Sequence, residues 1–272
     1  MVRGDRPTYS SFEGNNGGIV TEKAFFNDIL IGWFILAAVV FLALIFVAAP
    51  YGRHIRSGWG PAINNRAGWV IMEAAAPIVF AICFILGGNT NTVTTLVFLG
   101  LWQLHYIHRA FIYPFGLRSR SKGMPLIIVG FGLLFNTVNG YLNGRYIFTF
   151  SGGYTNEWLG DPRFLVGVLL FITGFAINRS ADGILKNLRK PGESGYGIPH
   201  GGLYRWVSCP NYLGEVIIWV GWAVATWSLP GLAFATWTAA NLIPRARLHH
   251  AWYREHFPDY PPERRAFLPG IW

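Results

Sequence analysis

Residues 216–244 read VIIWVGWAVATWSLPGLAFATWTAANLIP, a run with no Asp, Glu, Lys or Arg, interrupted only by Pro230-Gly231. A helix needs roughly 20 apolar residues to cross the hydrocarbon layer of a membrane. The run is long for one crossing, and the Pro-Gly pair leaves two readings open. It is either one kinked helix or two shorter helices joined by a tight turn. The first gives a chain of six spans, the second a chain of seven.

Three more stretches lack charge altogether: Ile29–Gly52, Ala74–His108 and Gly123–Gly144. With turn-forming residues as boundaries, they divide into spans at about Asn27–Ala49, Ala67–Leu86, Thr92–Tyr113 and Pro125–Leu142. A shorter fifth span is expected at about Arg163–Asn178. Charged residues are 13% of the chain against 52% apolar ones, and a soluble core helix would carry a polar face that these runs lack. The fold class expected is an all-α polytopic membrane protein.

Positive residues choose between six and seven spans, because cytoplasmic loops carry the excess of Lys and Arg. With seven spans, 16 of the 22 basic residues fall on one side, in the 51–66, 114–122 and 179–205 loops and the tail from Arg245. Five fall on the other side, and Arg109 lies inside span three. With six spans the division is 11 to 10. Seven transmembrane helices are therefore expected, with the N-terminus outside and the C-terminus cytoplasmic. Residues 1–26 are expected to form a polar, loose N-terminal tail, and 27–272 a single membrane domain. The net charge of +9 is mostly this topology signal. Neither a nucleic-acid partner nor a metal is expected: the sequence has no nucleic-acid-binding motif, and Cys83 and Cys209 sit in no ligand pattern.

Ionisable residues inside the spans are costly and call for a role. Glu73 lies within span two, where it must face a polar cavity, hold a proton or pair. The bland alternative is a structural hydrogen bond between helices. Span three carries His105-Tyr106-Ile107-His108-Arg109 near its cytoplasmic end. Tyrosine at a membrane boundary is often only interfacial, but Tyr106 beside a buried acid suits a donor to a substrate carbonyl. On the cytoplasmic side, Asn178 and Asp182 are four apart, as are Asn211 and Glu215, while Arg245, His249 and Tyr253 run at i, i+4, i+8. On helices, each set shares one face. Any one stripe suits a solvated face. Three at one boundary suggest a large polar ligand held between helices, with cations for phosphates and Asn, Asp and Glu for hydroxyls and amide. No G-x-G-x-x-G and no strand–helix alternation occurs, so a Rossmann-type nucleotide domain is excluded.

Several strings resemble the steroid 5α-reductase family. They include Leu188-Arg189-Lys190-Pro191-Gly192-Glu193, then Tyr196, Ile198-Pro199 and Gly201-Gly202-Leu203-Tyr204. Asn211, Gly214-Glu215, Ala225-Thr226-Trp227-Ser228-Leu229-Pro230, His249-His250, Tyr253 and Asp259-Tyr260-Pro261 continue the likeness. Upstream, Tyr51-Gly52 with His54, Trp69 with Glu73, and His105-Tyr106 with His108-Arg109 also fit. The resemblance implies seven helices, NADPH as hydride donor, and reduction of the Δ4 double bond of a 3-oxo steroid, in a bacterial homologue. It implies that Glu73 and Tyr106 engage the substrate carbonyl, with Glu73 protonated. It also implies that Asn178, Asp182, Arg189, Tyr196, Asn211, Glu215, Arg245, His249 and Tyr253 hold the cofactor, with Tyr51, Ser119, Arg120 and Lys122 at further cofactor positions.

Three positions depart from the family pattern. Met72 stands where Gln is expected before the buried Glu, Phe131 where span four should carry Arg, and Gly197 where Arg should follow the Tyr. Two of these bear on the substrate chamber. The apolar substrate is expected to enter from the bilayer, into a monomer in the bacterial inner membrane or, in a eukaryote, the endoplasmic reticulum membrane. The alternatives are a reductase of enoyl or polyprenol lipids, an S-adenosylmethionine-dependent methyltransferase of isoprenylcysteine or phospholipids, and a non-enzymatic lipid-binding scaffold.

Overall fold

The computed structural model describes residues 10–47, 60–116, 123–188 and 196–271. Helix α1 is Ser10–Phe46, α2 is Asn65–Ile85 and α3 is Val93–Ile107. The last runs on through a π-helical turn, His108–Ile112, into the short α4, Tyr113–Gly116. Then come α5 (Leu126–Arg145, extended by a π-helical turn at Tyr146–Phe150), α6 (Pro162–Asn187), α7 (Pro210–Thr226) and α8 (Leu229–His256). A two-residue antiparallel pairing, β1 (Ala62–Ile63) with β2 (Met124–Pro125), ties the approach to α2 to that of α5. Among the described residues, four segments, Val20–Phe46, Asn65–Ile85, Leu126–Phe150 and Pro162–Asn187, are long and apolar enough by themselves to cross a membrane.

The 216–244 run resolves into two helices. Trp227 takes a left-handed conformation (φ 43°) and ends α7. Ser228 then caps α8, its Oγ accepting from the Gly231 N–H at 3.1 Å. Pro230 falls in the first turn of α8, where its missing N–H costs nothing.

Two expectations are corrected. The N-terminal tail is helical from Ser10, so α1 begins well ahead of Asn27. Its Glu22 pairs with Arg145 (Nε–Oε1 2.8 Å) and accepts from the Tyr141 hydroxyl at 3.2 Å, which anchors the polar end of the helix on α5. The fifth span is not short. It starts at Pro162, capped by Asp161, and runs on to Asn187, because the polar residues after Asn178 are themselves good enough helix formers once one face is packed. The Arg163 side chain hydrogen-bonds the Asp161 carboxylate and holds its pKa down at about 2.

Packing sets the geometry of the polar face. Lipid supplies no hydrophobic drive between helices, so close approach through small residues does much of the work. At the α6–α7 contact, a Cβ on Gly174 would lie 2.6 Å from the main-chain O of Gly214 and the N of Ile218. One on Gly214 would lie 2.6 Å from the main-chain N of Asn178. Bare backbone on both helices thus brings Asn178 beside Asn211 and Glu215. An aromatic core of Phe80, Trp102, Trp219, Trp222 and Phe234 fills the centre, with Phe80 and Trp102 stacked at 4.4 Å. Many side chains of α1, among them Ile31, Ile35, Val39 and Leu42, face outward as a lipid-side surface should.

The π-helical turn in the third span leaves one carbonyl to be satisfied. The residue that would bond the Arg109 carbonyl in the next π step is Pro114, which has no N–H. The Trp69 indole N–H takes its place at 3.0 Å. This joins the end of α3 to α2 directly beside Glu73.

Candidate active site

Glu73 lies on the inner face of α2 and is buried. Its Oε1 accepts from Arg109 Nε at 3.2 Å. The Arg109 guanidinium also reaches Glu215, with Nη1 3.7 Å from Oε2. Arg109 therefore bridges two buried carboxylates on different helices. A charge this deep is tolerated when it is paired, and Glu73 is paired.

Glu215 is the other node. Its Oε1 lies 3.3 Å from His105 Nε2 and accepts from the Trp219 indole at 3.2 Å. Its Oε2 accepts from Asn178 Nδ2 at 3.1 Å. Asn178 Nδ2 also donates to the Asn211 carbonyl at 3.0 Å, and Asn211 Nδ2 donates to Asp182 Oδ1 at 3.3 Å. The stripes on α6 and α7 therefore face one another, as spacing alone suggested. His105, His108, Arg109, Tyr113, Phe175, Asn178 and Asp182 line a narrow cleft at this junction.

Tyr106 is 2% exposed and lies among Trp102, His105 and Trp219. It does not touch Glu73 directly. Its hydroxyl donates to Asn136 Oδ1 at 3.3 Å, and Asn136 Nδ2 donates to the Met72 carbonyl at 2.7 Å and to Glu73 Oε2 at 3.4 Å. Sequence reasoning missed Asn136, and it left Arg109 and His105 without assigned roles. Of the departures from the family pattern, Met72 is buried beside Glu73, packed near Met124 and Val129. Phe131 is 61% exposed, on the outer surface of α5.

The α8 stripe forms a separate group. Arg245 lies 5.9 Å from the ring of Tyr212, the neighbour of Asn211, and His249 lies 5.7 Å from the same ring. Tyr253 stacks on Tyr260 at 5.2 Å. Tyr196 is half-exposed and edge-on to Trp252. Tyr51, Ser119, Arg120, Lys122 and Arg189 lie outside the described residues.

Residues 122–272 match the family model described as 3-oxo-5-alpha-steroid 4-dehydrogenase. The chain belongs to that family. It is 38% identical over 258 residues to the steroid 5-alpha-reductase DET2 of Gossypium hirsutum, across 93% of this chain and 100% of that protein. It is 41% identical over 242 residues to the 3-oxo-5-alpha-steroid 4-dehydrogenase 1 of Bos taurus, across 87% and 93%. With the protein of that name from Homo sapiens it shares 40% identity over 223 residues, across 81% and 85%. These relatives are plant and mammalian, and none bears out a bacterial source. As a 3-oxo-5-alpha-steroid 4-dehydrogenase family member, the chain is an oxidoreductase acting on a carbon–carbon bond, set in a membrane.

Proposed function

We propose that this protein uses NADPH to reduce the Δ4 double bond of a 3-oxo steroid, giving the 5α-reduced 3-oxosteroid. It crosses the membrane seven times, with the N-terminus outside and the C-terminus in the cytoplasm. The break at Trp227-Ser228 and the placement of 16 basic residues on one side support that topology. The observation that carries the function is the buried chain Glu73–Arg109–Glu215, which joins a phenol and an acid at one end to Asn178, Asn211 and Asp182 at the other.

The donor set fits a nicotinamide dinucleotide. Two carboxamides and two carboxylates at the α6–α7 seam suit an amide and ribose hydroxyls, while Arg245 and Arg189 supply cations for phosphates. NADPH held there would supply a hydride for C5 of the enone. Tyr106 donates a hydrogen bond to the C3 carbonyl oxygen as negative charge gathers on it, and a proton from water completes the reduction at C4. The Arg109–Glu73 pair holds the acid in place beside the carbonyl. An apolar steroid reaches this chamber from the bilayer, and the cofactor comes from the basic, cytoplasmic side.

Family membership supports this over a methyltransferase. The deciding experiment is NADPH oxidation by the purified protein with a panel of 3-oxo-Δ4-steroids, enoyl-CoAs and polyprenals. Turnover confined to the steroids is expected. Oxidation only with a linear lipid would overturn the substrate, and no binding of NADPH would overturn the cofactor.

A further inference from the structure

We propose that Asn136 is a positioning residue for the reduction, which holds the Tyr106 hydroxyl as a hydrogen-bond donor before substrate arrives. The inference rests on the reading of Tyr106 given above and deepens it.

The direction of the hydrogen bonds follows from one main-chain atom. The Met72 carbonyl can only accept, and it lies 2.7 Å from Asn136 Nδ2. Turning the carboxamide over would set two acceptor oxygens against each other in a buried site, so Nδ2 must face Met72. Oδ1 must then face Tyr106, at 3.3 Å. An amide oxygen carries no hydrogen, so the phenol is the donor. The second Nδ2 hydrogen points toward Glu73 Oε2 at 3.4 Å. One carboxamide on α5 thereby fixes the polarity of both groups proposed to meet the substrate.

The chemistry of the placeholder is apt. An amide C=O resembles the C3 carbonyl in its acceptor geometry, so Tyr106 keeps its donor orientation in a site that holds no substrate. The Tyr106–Asn136 bond is long, and a substrate oxygen that is gaining negative charge competes for the hydrogen easily. No covalent change occurs at Asn136: the phenol keeps its hydrogen and turns its O–H from one acceptor to the other. Packing alone would be served by an apolar residue at 136. Asn136 is 4% exposed, a costly place for a carboxamide unless its hydrogen bonds are used.

The test is a double-mutant cycle on the purified, full-length protein, with NADPH and androst-4-ene-3,17-dione. Tyr106→Phe is expected to lower kcat by about 10²–10³, the loss of one preorganised oxyanion donor. Asn136→Leu is expected to lower kcat about tenfold, less than a 1 Å displacement of a reacting group would cost. Steroid KM and NADPH Kd should stay within about twofold in both, as binding without chemistry is little touched. Asn136 acts through the phenol, so the double variant should match Tyr106→Phe alone. Losses that multiply in the double variant, or wild-type kcat in Asn136→Leu, would reduce Asn136 to a packing residue. If Asn136→Leu does not fold, Asn136→Ser serves: its short hydroxyl cannot span Met72 and Tyr106 together, and the same non-additivity is required of it. Wild-type kcat in Tyr106→Phe would sink the catalytic reading itself, which separates that failure from this one.

Discussion

Arg109 shows how much one side chain can settle in a membrane. Its guanidinium lies within ion-pair reach of Glu73 and Glu215, and no lysine could offer both the same planar fork. Arg109→Met would strand two buried carboxylates. Removing one partner of a buried pair costs about 3 kcal/mol or more, and a side chain 29% exposed argues for the low end. A fall in melting temperature in detergent, with NADPH turnover abolished, is the expected outcome. Arg109→Lys should recover part of the stability and little of the turnover. A stable, active Arg109→Met protein would show that the chain of charges is incidental. Glu73 and Tyr106 were legible in the sequence because an acid in an apolar run advertises its cost. Arg109 was legible by the same rule, as a cation in span three, and pairing it with Glu73 needed only that rule applied twice. Asn136 was not legible. A neutral amide with Asn139 and Asn143 close by carries no such warning, and its role appears only once α5 lies against Met72.

Helix pairs impose the next constraint, and α6 with α7 is the pair that matters. Gly174 and Gly214 meet backbone rather than flexible side chains, so neither neighbour can give way to an added methyl group. Gly174→Ala should cost about 1–3 kcal/mol through overpacking. It should also part Asn178 from Asn211 and Glu215, weakening NADPH binding by about tenfold or more, as the loss of a charged hydrogen bond would. The control lies on the same helix. A Cβ at Gly183 meets nothing within 4 Å, so Gly183→Ala should be neutral or stabilising by about 0.5 kcal/mol. Equal effects of the two substitutions in a thermal-shift titration with NADPH would contradict the close-approach account. Helix positions were largely legible from runs of apolar residues, and α2 departs from expectation by only a residue or two at each end. The ends of α1 and α6 were not, because a run of hydropathy stops where the polar residues begin, whereas a helix stops where its packing and caps do. Ser10–Asn27 and Arg179–Asn187 are polar and helical all the same.

Across the molecule, the C-terminal segment closes the side proposed for the cofactor. After α8 the chain turns back, and Arg265 pairs with Trp206 and Ser208 through main-chain bonds of 2.8 and 2.9 Å. Ser208 Oγ lies 2.7 Å from both His250 Nδ1 and the Tyr260 hydroxyl. Burial pushes the Tyr260 phenol above its ordinary range, so at neutral pH it remains a hydroxyl able to share this node. Ala266 and Phe267 pack with Cys209, Leu213 and Ala246, one turn from Asn211 on α7. The segment therefore clamps the N-terminal end of α7 against α8 and fixes the seam where Asn211 meets Asp182. Deleting residues 258–272 should weaken NADPH binding by more than about tenfold, because the Asn211 end of α7 loses its buried support. The packing of α1 with α8 near Trp33 and Trp237 lies elsewhere in the fold and should persist, so the truncated protein should still extract as a helical membrane protein by circular dichroism. Tyr260→Phe removes the hydroxyl's bonds to Ser208 and Arg264 and keeps the clamp, costing about 1–2 kcal/mol with little change in turnover. If the truncated protein bound NADPH as tightly as the intact one, the C-terminal segment would be a cover over the site, and the seam between α6 and α7 would hold its cofactor-facing groups without help.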